Sequence, residues 1–102
     1  MKLKDMLHKI NEEELINVDK KSFNKEETIR AIRQSKMAEL DAINMYTQIA
    51  QATKIPSVKR VFESIVNEER RHSGEFSELL KKLGVKDDDF AQEGRQEAQK
   101  EM

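Results

Sequence analysis

The sequence predicts an all-α protein: an antiparallel two-helix hairpin that dimerises into a four-helix arrangement, with short helical appendages at its N- and C-terminal ends. Three observations lead there. Apolar residues recur at three- and four-residue spacing along two long stretches, the signature of amphipathic helices. One proline and three glycines leave little material for hairpin turns or phosphate loops. At 102 residues, with 36% hydrophobic and 38% charged, a single hairpin has only a thin core and needs a partner.

The elements follow in order. Residues 1–22 form an N-terminal segment and linker, in which Leu3, Met6, Leu7 and Ile10 are spaced for a short amphipathic helix. Residues 23–84 form the hairpin. Asn24, with Glu27 three residues on, reads as a capping box, so the first helix begins near Lys25. Its stripe runs Ile29, Ile32, Lys36, Glu39, Ile43, Tyr46, Ala50 and stops around Thr53. Pro56 suits the first turn of the next helix because it has no amide hydrogen to satisfy there. The second stripe runs Phe62, Ile65, Glu69, His72, Phe76, Leu79, Leu83, and Gly84 ends it as a left-handed terminator. Residues 85–102 are a polar C-terminal helix or tail, which the Asp87–Asp89 cluster is expected to cap.

Charge and composition exclude several classes. Nineteen basic against twenty acidic residues give no field that would gather nucleic acid or an anionic membrane surface. The absence of cysteine removes disulfides, thiolate nucleophiles and sulfur-ligated metals together. No apolar run approaches the ~20 residues that cross a bilayer, and the first residues lack the apolar core of a secretory signal, so a cytoplasmic protein is expected.

Both stripes are polar in the middle. Glu69 and His72 are three residues apart, project from one helix face, and can reach one metal ion together. If the chain turns near residues 54 and 55, Glu39 lies about as far from the turn as they do. A common rise of ~1.5 Å per residue then sets all three level. A buried carboxylate needs a cation or a proton, and a metal is the simplest cation. Two glutamates and a histidine make an open site, which a second hairpin related by two-fold symmetry doubles to four glutamates and two histidines. Such ligands suit iron, with manganese, zinc or calcium as possible substitutes. Tyr46, two turns along from Glu39, is either a hydrogen-bonding neighbour of the ligands or a core aromatic. Asp41, Glu68 and Glu75 read as an acidic approach path for cations or as a solvated face. His8 stands outside the pattern.

The segments Ala38-Glu-Leu-Asp-Ala-Ile-Asn-Met-Tyr46 and Glu68-Glu-Arg-Arg-His-Ser-Gly-Glu-Phe76 resemble the encapsulated ferritins, ferritin-like cargo proteins of encapsulin nanocompartments. The likeness covers about residues 25–83. It implies that Glu39, Glu69 and His72 are ferroxidase ligands, that Tyr46 is the site-adjacent tyrosine, that Asp41 is a secondary acidic metal position, and that Glu68 is associated with metal uptake. It implies a homodimer as the minimal active unit, a decamer of five dimers, and di-iron sites shared between two chains. It further implies oxidation of iron(II) by dioxygen, with mineral stored in an encapsulin shell. Position 38 is alanine where some members carry an acid, and the tail shows no unmistakable shell-targeting peptide.

Two rival readings come from the same residues. A rubrerythrin-like di-iron peroxidase shares the Glu-x-x-His logic but generally carries both helix pairs and a cysteine-rich module. A metal-free helical scaffold would use Glu69 and His72 to set helix register across the seam.

Overall fold

The computed structural model describes residues 22–102. Apart from Ser22, the expected N-terminal segment lies outside the described residues. Three helices follow: α1 (Lys25–Ala52), α2 (Pro56–Lys82) and α3 (Asp87–Glu101). No strand occurs among the described residues, and no described helix is long and apolar enough to cross a membrane. The fold is all-α, with α1 and α2 packed as an antiparallel hairpin.

Helix α1 starts where the capping box places it. The Glu27 amide donates to Asn24 Oδ1 at 2.8 Å, and the Asn24 amide donates back to Glu27 Oε1 at 3.3 Å. Two otherwise orphaned amides are thereby satisfied at the helix start. Asn24→Ala is expected to lower the stability of the fold by about 1 kcal/mol in urea unfolding, the usual cost of losing such a cap.

The turn between the helices is tight. Thr53 ends α1 in extended geometry, and Pro56 opens α2 at its first position. Lys59 reaches back across the turn, its Nζ donating to the free Ala50 carbonyl at 3.3 Å. At the far end of α2, Gly84 takes φ +84°, a conformation that costs a residue with a Cβ. Its amide donates to Lys81 O and the Val85 amide to Leu80 O, both at 3.0 Å, the paired bonds of a Schellman ending.

The buried apolar residues are Ile29, Ala31, Ala50, Val66 and Leu80, and two of these are alanines, so the core of one chain is thin. Several stripe positions sit only half-buried: Ile32, Ile43, Tyr46, Phe62, Ile65 and Phe76. The seam on α2 centres on Val66 and Leu80, one step round from the expected stripe, and it leaves Leu79 47% exposed. In an antiparallel pair the closest approach is set by crossing geometry, which periodicity alone does not locate.

The Asp87–Asp89 cluster does not cap α3. The capping position is Lys86, which makes no side-chain cap bond, and the three aspartates occupy the first helical turn instead. There they face the positive end of the helix dipole. The Schellman ending of α2 consumes Gly84 and Val85 and leaves Lys86 as the last residue before the new helix.

Candidate metal centre

Glu39 lies midway along α1 and is buried, 4% exposed. Its Oε2 is buried without a hydrogen-bond partner among the described residues. Ser35, one turn earlier, is also buried, but its hydroxyl donates to the Ala31 carbonyl at 2.8 Å and so does not serve the carboxylate. Among the described residues no lysine or arginine pairs with Glu39. Arg70 instead bonds Asn67 at 2.8 Å, and Arg71 is exposed. Of the described groups that can carry positive charge, His72 alone approaches it, with Nδ1 3.6 Å from Glu39 Oε1.

Glu69 completes the group. Its Oε2 is 3.9 Å from His72 Nδ1, and one ligand atom from each of Glu39, Glu69 and His72 lies within 4.8 Å of the others. The His72 gaps are too long for hydrogen bonds. They are close to what a shared ion needs, since two donors each ~2.1 Å from one metal stand about 3.0–3.4 Å apart. Side-chain shifts of up to about half an ångström close the two His72 gaps, and carboxylate rotation of up to about 1.4 Å brings all three donors, now within 4.8 Å, onto one ion. Three donors also leave coordination positions open, and two carboxylates supply the negative charge that a divalent cation neutralises. The donor set and the unbonded Glu39 oxygen therefore both fit a metal ion.

The remaining sequence candidates lie differently. Tyr46 stacks at a tilt on Phe62, ring centroids 5.6 Å apart, and its hydroxyl makes no hydrogen bond among the described residues. Asp41 and Glu68 are exposed and outside the three-residue group. Two residues along a helix is about 200° of rotation, so Asp41 points away from the face that carries Glu39. Glu75 is likewise exposed.

The chain superposes on the crystal structure of the encapsulated ferritin domain from Pyrococcus furiosus with a TM-score of 0.74 and 36% sequence identity, covering 89% of this chain and 91% of that one. A family model described as Rubrerythrin matches residues 30–102. The chain belongs to the encapsulated ferritins of the rubrerythrin family. This encapsulated ferritin is 42% identical over 69 residues to a ferritin-like-encapsulin shell fusion protein of Pyrococcus furiosus, which takes in 68% of this chain and 20% of that protein. It is 40% identical over 57 residues to the encapsulin nanocompartment cargo protein EncC of Myxococcus xanthus, 56% of this chain and 44% of that one. The chain thus spans about a fifth and under half of the lengths of these two curated relatives.

One contact had no signal in the sequence. Arg33 on α1 holds Asp87 on α3 through two bonds, Nε to Oδ2 and Nη2 to Oδ1, each 2.9 Å. The bonded guanidinium lowers the pKa of the Asp87 carboxyl, and the carboxylate raises that of Arg33. The two residues are 54 positions apart and belong to no shared periodicity.

Proposed function

We propose that this chain is a ferroxidase that oxidises iron(II) with dioxygen at a di-iron site shared between two copies, supplying iron(III) for storage inside an encapsulin shell. The observation that carries the reading is the Glu39 carboxylate. It is buried at the level of Glu69 and His72, and one oxygen has no hydrogen-bond partner among the described residues. Such a group is strongly disfavoured as a carboxylate unless a cation joins it, the other way out being to take up a proton.

The shape of one chain supports the shared site. On α2, Val61, Ile65, His72 and Leu79 fall within about 40° of one another on the helix surface. Val61 is 57% exposed and the His72 side chain 46%. On α1, Ala38, Ala42, Met45 and Ile49 form a second row at three- and four-residue spacing. Both rows are offset from the seam in the same rotational sense, so in an antiparallel pair they line one face. That face is apolar, open, and has His72 within it. A second copy docked there by two-fold symmetry covers the apolar rows and brings a second Glu39, Glu69 and His72 alongside the first.

In this site Glu39, Glu69 and His72 of each chain would hold the iron(II) substrate, with Glu39 as the most buried of the three. Each iron gives up one electron, and dioxygen takes both with two protons to leave as hydrogen peroxide. Pairing the electrons avoids a one-electron step to superoxide. The carboxylates hold the rising positive charge in place. Tyr46 lies two turns along the same helix from Glu39, stacked on Phe62, and the exposed Glu68 and Asp41 draw cations toward the dimer. Partnership with an encapsulin shell belongs to the same reading, supported by the names of the two curated relatives; assembly into a decamer belongs to it through the resemblance of the two helix motifs alone.

The test is anaerobic iron(II) loading of the purified protein followed by exposure to oxygen. Uptake near one iron per chain, then rapid growth of ferric absorbance, is the expected result. No tight iron uptake, with assembly unchanged by chelator, would show that the polar seam only sets helix register. A peroxidase reading draws on the rubrerythrin family model. It predicts that the reduced di-iron protein reacts faster with hydrogen peroxide than with dioxygen.

A further inference from the structure

We propose that the Arg33–Asp87 pair is a latch that sets the direction in which α3 leaves the hairpin, with Lys86, the residue between the Schellman ending of α2 and the first turn of α3, as the joint on which the helix swings. Little else holds α3. None of its residues is buried, and beyond the joint it has no other hydrogen bond or ion pair to the hairpin among the described residues. Where its first turns lean over α1 and α2 there is a cavity of about 320 Å³, bordered by Met37, Leu80, Val85 and Ala91. Apolar packing therefore does not fill the gap that the ion pair spans.

The joint allows one end of α3 to move. The Schellman bonds fix Gly84 and Val85, whereas the Lys86 side chain makes no cap bond to α3. An exposed ion pair ordinarily contributes little to folding. Here the competing state is only a swing of a helix that is already connected, so a small free energy suffices to bias the population. A well-formed exposed pair shifts such a ratio by up to about fivefold, and two-point contact between guanidinium and carboxylate also specifies the angle. Lys36 adds attraction for Asp87, and Glu26 adds it for Arg33. A fixed direction presents the Phe90 ring, 69% exposed, at a fixed place.

The latch lies away from the metal centre. Lys81, on the cavity rim, is nine residues past His72, about half a turn round α2. Breaking the latch therefore leaves iron binding as it was, and the proposal does not rest on the ferroxidase reading.

The chain has no cysteine, so Asn44→Cys and Arg95→Cys accept a pair of spin labels cleanly. Labelled protein diluted with unlabelled protein reports the distance between α1 and α3 within one chain. The expected result is a narrow distribution in the parent, and a broad one in Arg33→Ala, with the docked fraction falling about fivefold relative to the free. Salt at 1 M, which shortens screening to about 3 Å, should broaden the parent in the same way. Far-UV circular dichroism should show that α3 stays helical in Arg33→Ala, and iron bound per chain should not change. A parent distribution already as broad as that of Arg33→Ala overturns the latch, as does an Arg33→Ala distribution as narrow as the parent's.

Discussion

Replacing Glu39 is expected to abolish rapid iron(II) oxidation while leaving the iron-free protein as stable as before or more so. The two effects have one origin. In the iron-free chain Glu39 is a buried carboxylate with an oxygen unbonded among the described residues and no described lysine or arginine against it. Burying a polar group without a hydrogen bond costs about 1–3 kcal/mol in protein mutational data. Glu39→Leu keeps side-chain volume and removes that cost, so the iron-free variant should unfold at higher denaturant by roughly this amount. With iron the order reverses. The parent gains stability in proportion to the logarithm of iron concentration over its dissociation constant, and the variant gains none. Glu39→Ala should lose oxidation equally, although the cavity it leaves offsets part of the stabilisation. Stopped-flow ferric absorbance and urea melts with and without iron measure the pair of effects. Undiminished oxidation in Glu39→Ala would remove Glu39 from the site altogether.

The second large effect is expected from residues that touch no metal. Val61→Lys with Leu79→Lys places two charges on the open face of α2, at positions 57% and 47% exposed in one chain. Neither side chain contributes much to the hairpin's own core, so helicity per chain should change little. Docking of a second copy, however, would bury two unpaired ammonium groups, at a cost of several kcal/mol each. The double variant should therefore run as a monomer on a sizing column with light-scattering detection. Oxidation should fall by an order of magnitude or more, although Glu39, Glu69 and His72 are all still present. A monomer that oxidises iron at the parental rate would place the whole reaction within one chain and end the shared-site reading.

Much of the fold was legible in the amino-acid sequence because it depends on local chemistry. Asn24 and Glu27 form the reciprocal bonds expected of a capping box, Pro56 opens α2, and Gly84 ends it with the left-handed φ that a glycine accepts at little cost. Each of these signals acts over a few residues. The grouping of Glu39 with Glu69 and His72 was legible for a related reason: two rigid helices of equal rise, folded at a known turn, bring residues equidistant from that turn to one level.

The tertiary structure decided what depends on how the helices cross and on what covers them. Val66 and Leu80, and not Leu79, take the centre of the seam, because a few tens of degrees of rotation about α2 exchange one neighbouring row for the next at little local cost. The aspartates at 87–89 look like capping residues, yet the Schellman ending of α2 leaves them inside the first turn of α3, where Asp87 reaches Arg33. That pairing joins residues with no common period and no shared element, so only the folded chain brings them together. The burial of Glu39 with an unsatisfied oxygen is likewise a property of packing. The sequence by itself determined the limits of α1 and α2 and the common level of Glu39, Glu69 and His72, through hydrogen bonds and rise that are local. The tertiary structure alone decided which face is closed, which is open and where α3 points, because those follow from weak contacts between distant residues.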